Sequence, residues 1–233
     1  VAYFDGGVIT GTLMDLKVFL EGPFNGGTMN PYLNIFGLLP LAQPYNIDPI
    51  YYAGPETVTV IPNANIIDWV LVEIRETSGD VNSADASTVV ANKAAFLLDD
   101  GSIVDLDGSS NLLIPTTFTE NVYVVIYHRN HAKIISANAL TQVGGVYIYD
   151  FTDDAAKAYG SFQKDLTGAG TYGMYSGDID NDGEIFSNDV TLLLNEYPST
   201  GVYSGSDIDL DGEVFSNDVT LLLNNYPLVT FIP

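Results

Sequence analysis

The chain of 233 residues contains no cysteine. No disulfide staples it, and no thiolate serves as nucleophile or metal ligand. Any metal must be taken by oxygen or imidazole. Basic side chains are scarce too: 7 Lys and Arg stand against 30 Asp and Glu, for a formal net charge of −23. That deficit argues against nucleic acid as a partner, because phosphate contacts need clustered cations, and against anionic membrane surfaces for the same reason. No apolar run approaches the roughly 18 residues that a spanning helix needs, so no membrane span is expected. Histidine occurs twice and tryptophan once. With two imidazoles and no thiol, zinc hydrolysis and cysteine chemistry drop out, and no Gly-x-Ser-x-Gly elbow is present. The chain starts at Val1 with no signal segment, which reads as a processed mature chain or a fragment.

What is present is enough to build a core. Hydrophobic residues make up 46% and aromatics 12%, with 15 tyrosines, which excludes a mainly disordered chain. The length fits one large or two modest domains. Over residues 15–172, β-prone runs alternate with Gly/Pro/Asn/Asp turns. The strand candidates are DLKVFLEG (15–22), ETVTVIP (56–62), IIDWVLVEIRE (66–76), AAFLLDD (94–100), NVYVVIYHRN (121–130), AKIISAN (132–138) and GVYIYDFT (145–152). VYVVIYH is apolar on both faces and so should be a central, covered strand. DDGS at 99–102 signals a hairpin, and SADASTVVANKAA (83–95) reads as a helical crossover or a loop. Short strands with turns between them indicate a β-sandwich. The expected fold class is mainly β: a β-sandwich followed by a small α-helical calcium-loop domain.

That second domain, residues 173–227, carries a near-perfect repeat. DIDNDGEIFSNDVTLLLNEY (178–197) returns as DIDLDGEVFSNDVTLLLNNY (207–226). A calcium ion wants six to eight hard oxygens, and a twelve-residue loop supplies them from positions 1, 3, 5, 7 and 12, with Gly at 6 for the sharp turn. Counted from Asp178, the ligands are Asp178, Asp180, Asp182, the main-chain carbonyl of Glu184, and Asp189, with Gly183 at position 6. Counted from Asp207, they are Asp207, Asp209, Asp211, Glu213 and Asp218, with Gly212 at position 6. Position 12 is Asp where an EF-hand has Glu. Two Ca2+ ions are expected. So many carboxylates repel without a cation, so the region should be loose or unfolded when calcium is withheld. A helix should begin near each SND, a good capping sequence. Leu192, Leu193 and Leu194, with Leu221, Leu222 and Leu223, should bury the two helices against each other.

A DxDxDGxxxxxD loop followed at once by a Leu-rich helix, without an entering helix and repeated after a short spacer, resembles the type I dockerin module over about residues 176–227. The resemblance implies that the aspartates above are metal ligands. It also implies a partner surface at loop positions 10 and 11, here Ser187 and Asn188, Ser216 and Asn217. Both copies read alike, as in a dockerin with two near-equivalent binding faces. Family members often carry basic residues later in the helix, where this chain has Asn195–Glu196 and Asn224–Asn225. Residues 15–175, from LKVFLEGPFNGGTMN through GGVYIYDFT, resemble a module of secreted Bacteroidota proteins that precedes dockerin-like repeats. That resemblance implies export and an extracellular or cell-surface setting, with no known catalytic activity.

The remaining candidates are weaker. His128 and His131 lie three apart, which on one strand puts them on opposite faces, and Arg129 between them would repel a cation. Structural or partner-contact roles are expected for them. Glu21, Asp68, Glu73 and Glu76 are the carboxylates available for glycosidase-like pairing, and nothing singles them out. VDLDGSS (104–110) imitates part of a calcium loop but reads as a hairpin turn. Tyr45, Tyr51, Tyr52 and Trp69 are candidates for a glycan face, weighed against plain core packing. The β-prone ends, VAYFDGGVIT (1–10, within an extension over 1–14) and the apolar LVTFIP (228–233), can add to a neighbour's sheet edge. The leading expectation is a non-catalytic, extracellular, calcium-stabilised structural or adhesive surface protein, able to self-assemble into filaments or a layer. The alternatives are a dockerin-type anchor for a cohesin-like partner and a carbohydrate-binding module.

Overall fold

The computed structural model describes residues 11–233 in full. Of the first ten it describes only the backbone of two short paired strands, Ala2–Phe4 and Gly7–Ile9. The expected assembly segment at 1–10 therefore falls outside the fully described residues. From there on the protein is mainly β. Nine strands build one sheet: β1 (Thr12–Lys17), β2 (Ile66–Thr77), β3 (Val89–Leu98), β4 (Ser102–Val104), β5 (Leu112–Ile114), β6 (Asn121–His128), β7 (His131–Ile135), β8 (Thr141–Val143) and β9 (Val146–Asp150). The hydrogen-bonded order is β7-β6-β2-β3-β4-β1-β9-β8, with β5 also on β1. All neighbours are antiparallel except β1 with β9. The expected mainly β class holds, and its strands form one curled sheet over a main core, with a smaller cluster of Val81, Ala84, Tyr123, Val125 and Ile135 beside it.

The twelve-residue β2 is the spine. Both its faces are apolar, and both are buried: Trp69 and Leu71 on one, Val70, Val72 and Ile74 on the other. Trp69 and Phe96 of the neighbouring β3 sit with ring centroids 4.1 Å apart. Met14, Leu16, Val124, Ile126 and Phe151 complete the same core. Gly101, at φ 89, closes the DDGS hairpin between β3 and β4. The strand reading holds for IIDWVLVEIRE, AAFLLDD, NVYVVIYHRN, AKIISAN and GVYIYDFT. It fails for ETVTVIP, which makes a single bridge from Thr57 to Ala42 inside a long loop. SADASTVVANKAA, expected as a helical crossover or a loop, holds a three-residue turn at Ala86–Thr88 and then Val89–Ala95 of β3. Asp80 and Asp85 cap the starts of two three-residue turns, accepting the amides of Asn82 and Ser87, and Val89, extended at the end of the second, then enters β3.

Beyond residue 173 come two ten-residue helices, α2 (Ser187–Glu196) and α3 (Ser216–Asn225); a one-turn helix, α1 (Tyr32–Ile35), precedes the spine. Four two-residue strands accompany them: β10 (Glu184–Ile185), β11 (Ser199–Thr200), β12 (Glu213–Val214) and β13 (Leu228–Val229). The pairing is reciprocal. β10 of the first repeat pairs with β13 after the second helix, and β11 after the first helix pairs with β12 of the second repeat. Phe186 packs edge-to-face on Tyr226 and Tyr197 on Phe215 in the same crossed sense. Each repeat is therefore completed by the other.

The helices do not meet through all six leucines. Leu193 and Leu222 are buried with Ile185, Ile208 and Val214, whereas Leu192, Leu194 and Leu223 face solvent. Successive residues point about 100° apart around a helix, so three in a row cannot share one face. LVTFIP is not a free strand either. β13 is paired, Thr230 donates its amide to the Gly183 carbonyl at 2.7 Å, and Phe231 packs edge-to-face against Tyr159 and Phe162. Arg75 reaches the Pro233 carbonyl at 2.8 Å.

Candidate metal centre

The two Asp-rich loops fold alike, down to backbone strain. The fourth position is left-handed in both, Asn181 at φ 57 and Leu210 at φ 61, and the sixth is Gly183 at φ 92 and Gly212 at φ 84. The turn brings position 1 over its own loop, so Asp178 accepts the Gly183 amide at 3.2 Å and Asp207 the Gly212 amide at 3.0 Å. Asp178, Asp180 and Asp182 thereby gather carboxylate oxygens within 4.8 Å of one another, as do Asp207, Asp209 and Asp211. Asp189 and Asp218, at position 12, are buried at the start of each helix. Each divides its two oxygens between amides: Ile179 and Phe186 for Asp189, Ile208 and Phe215 for Asp218. Glu184 and Glu213 hold their side chains in solvent, which leaves the main chain as their only route to the loop.

The donor set suits a hard cation. Asp178 Oδ1 in the first loop and Asp209 Oδ1 in the second are buried with no hydrogen-bond partner, an expensive state unless an ion answers them. Electrostatics agree. Burial, then the nearby Asp189 carboxylate, pushes Asp178 up to about 7. Burial, with Asp218 adding repulsion against the pull of Arg129, pushes Asp207 up to about 8. Burial, then Asp218 and Asp211, pushes Asp209 up to about 7.

The residues at loop positions 10 and 11 divide. Ser187 and Ser216 are exposed at the helix starts. Asn188 and Asn217 turn back across the loop: Asn188 donates to Asp180 at 2.6 Å and to Asp182 at 3.2 Å, and Asn217 bonds Asp209 and Asp211. Position 11 is therefore tied to the carboxylate triad in both copies. The exposed stripe of each helix instead runs Ser187, Thr191, Leu194 in the first copy and Ser216, Thr220, Leu223 in the second.

Both loops dock on one hairpin, which the sequence pattern did not single out as a junction. His128 and His131 are not on opposite faces of one strand. They end β6 and begin β7, pair across the turn, and bring their Nδ1 atoms to 3.0 Å. A turn between them reverses the chain, which cancels the alternation of a single strand. Asn130 at the tip donates to the carbonyls of Gly205 and Asp207 at 3.0 and 2.6 Å. Asn181 of the first loop donates to the Arg129 carbonyl, and Lys133 donates to the Asn181 carbonyl. His131 Nε2 accepts the Gly22 amide at 3.2 Å. Under the hairpin, Asp68 accepts from Arg129 Nε at 2.9 Å, lies 3.2 Å from His128 Nε2, and takes the Tyr203 hydroxyl at 2.7 Å. The Arg129 guanidinium lies over the Tyr203 ring at 4.3 Å. Burial raises the Asp68 carboxyl, but Arg129 and the His128 hydrogen bond overcome it and hold the group down at about 2. Burial lowers both histidines, His131 well below its ordinary value. The visible signal was YHRNH itself, five polar residues at the end of an apolar strand.

The other candidates scatter. Trp69 and Tyr45 are core residues, with the Tyr45 hydroxyl on the Trp69 carbonyl at 2.7 Å. Tyr51 is 67% exposed. With Tyr52, Tyr127, Glu73, Lys133 and Asn181 it lines a cleft of about 380 Å³. Glu73 pairs with Arg75, Glu76 accepts amides of Thr119 and Glu120, and Glu21 lies at the junction of the two halves. Asp105 in VDLDGSS pairs with Lys93 at 2.7 Å, as befits a turn. No helix among the described residues is long and apolar enough to cross a membrane.

No family model and no curated protein matches the chain. Among solved structures, it is similar to chains of two interface mutants of a type II cohesin–X–dockerin complex from Acetivibrio cellulolyticus. Identity is 16% with the C-terminal interface mutant and 19% with the N-terminal one, at TM-scores of 0.40 and 0.41. Each match covers 74% of this chain and 88% of the other.

Proposed function

We propose that the chain is a non-catalytic, secreted surface protein whose calcium module presents a duplicated face to a protein partner. One observation carries the reading: the same apolar side chain stands in solvent at the same place in both repeats, Leu194 at 54% and Leu223 at 52% exposure, each beside an exposed serine and threonine. An apolar group held open twice is what a two-faced binding module needs. Asp178, Asp180, Asp182 and Asp189, with the Glu184 carbonyl, would hold one calcium ion. Asp207, Asp209, Asp211 and Asp218, with the Glu213 carbonyl, would hold the other. The ions would supply the positive charge that lets these carboxylates pack, and so fix the helix faces.

The partner under this reading is a second copy of the chain in a filament or layer, or another surface protein such as a cohesin-like one. Sedimentation and electron microscopy of the purified chain, in calcium and after chelation, separate the two. Assemblies in calcium that disperse with chelator, and that a Leu194→Glu/Leu223→Glu variant fails to form, support self-assembly. Monomers at every concentration sink it and leave the anchoring role. Either single variant should keep binding, because the other face remains. A glycan-binding reading has its own support in the cleft beside exposed Tyr51. It predicts glycan retention that Tyr51→Ala and Tyr52→Ala abolish.

A further inference from the structure

The two repeats differ at three positions of twenty: Asn181 against Leu210, Ile185 against Val214, and Glu196 against Asn225. At the last of these the two members live differently. Glu196 is exposed, whereas Asn225, the final residue of α3, is buried against the β-module. There its side-chain amide is wedged between an amine and a carboxylate. Lys164 Nζ lies 2.9 Å from Asn225 Oδ1 and 3.3 Å from Glu21 Oε1. Asn225 Nδ2 donates to Glu21 Oε2 at 2.5 Å and to the Ser176 carbonyl at 2.8 Å. The amide orientation is forced: Lys164 can only donate, so it faces the oxygen, and the nitrogen must face the carboxylate. Ser176 fixes Glu21 in turn, through its amide and its hydroxyl, both 3.0 Å from Oε2. The Tyr175 ring covers one side of the Lys164 amine, with its centroid 5.7 Å from Nζ, and the side chain is 30% exposed.

A lysine–glutamate pair held only for stability needs no amide between its members. This arrangement brings together the parts that acyl transfer uses: an amine hydrogen-bonded to the carbonyl oxygen, one short shift from its carbon, and a proton carrier touching both that amine and the leaving nitrogen. We propose that Lys164 and Asn225 join in an intramolecular isopeptide bond, with Glu21 as the proton relay. The Lys164 ammonium passes one proton to Glu21, and its lone pair attacks Cγ of Asn225. Glu21 relays a second proton from the attacking nitrogen to Nδ2. The Cγ–Nδ2 bond breaks, and ammonia leaves, taking up the proton still on Glu21. The sum is one ammonium ion released and one amide formed, with no oxidant and no cofactor. The bond would close residues 164–225 into a covalent loop and tie the calcium module to the β-module.

The intact mass of the purified full chain, kept folded in calcium buffer, tests this directly. The expected mass lies about 17 Da below that of the sequence, the weight of one ammonia. Digestion should yield one branched peptide joining the Lys164 and Asn225 segments. Lys164→Arg and Glu21→Gln should each return the full sequence mass. Wild-type chain at full mass after prolonged incubation overturns the proposal, whatever the variants do. So does a deficit that maps to a ring closure at Asn25–Gly26 and not to the branched peptide.

Discussion

Asp68 has no exposed surface, yet it answers an amide, a guanidinium, an imidazole and a phenol at once. Replacing it with Asn leaves the buried Arg129 charge uncompensated, a change that costs about 3–5 kcal/mol at comparable buried pairs. Urea denaturation in saturating calcium should register that loss. The histidines beside it set a pH limit. Both are held neutral in the folded chain because burial disfavours their charge. In the unfolded chain they return to about 6.5. As pH falls below that value the unfolded state takes up protons that the folded state refuses, so stability drops. Their contribution is fully present above about pH 6.5 and is lost on acidification. Asp68, held at about 2, adds a second loss as pH falls from about 4 toward 2. Urea midpoints across a pH series should trace both limbs, and His131→Asn should flatten the upper one.

Among elements, the reciprocal strands carry the most testable load. Deleting residues 228–233 removes β13 from β10 and the Thr230 amide from Gly183, so the first loop should lose more calcium affinity than the second. Calorimetric titration resolves the two sites. Gly183→Ala should weaken the same loop, since φ 92 is left-handed and the added carbon would stand 3.0 Å from the Thr230 carbonyl. Leu222→Ala, in the buried contact between repeats, should cost about 2–5 kcal/mol of stability. Much at this scale was legible in the sequence. Five of seven strand runs, both helices and the twelve-residue loops could be read from periodicity and from aspartate spacing, because those signals are local. DLKVFLEG was only partly right, since pairing begins at Thr12 and ends at Lys17. ETVTVIP failed because alternation says nothing about whether a neighbour is there to pair with. The reciprocal pairing was invisible, since two-residue strands carry no periodicity and one arm joins segments more than forty residues apart.

For the molecule as a whole, the junction decides the behaviour. Sequence reading separated the two halves by texture, yet polar contacts bind them through the 128–131 hairpin. The repeats diverge where they touch the β-module: Asn181 bonds the Arg129 carbonyl, and Leu210 enters the main core. No pattern within one repeat could have revealed that, because the cause lies in the other half. Chelation should therefore loosen more than the loops. Protease sensitivity should spread from residues 173–227 to the hairpin, and added salt should partly protect a chain of net charge −23 by screening its self-repulsion.

The crossed strands also impose an order in time. β10 finds its mate only in Leu228–Val229, and the first loop leans on Thr230. While a nascent or translocating chain still lacks those residues, the first aspartate loop has no completed wall and the module stays open. Leu228–Thr230, made after both repeats, thus act as the trigger that closes the first of them, while the second, walled by Ser199–Thr200, can close earlier.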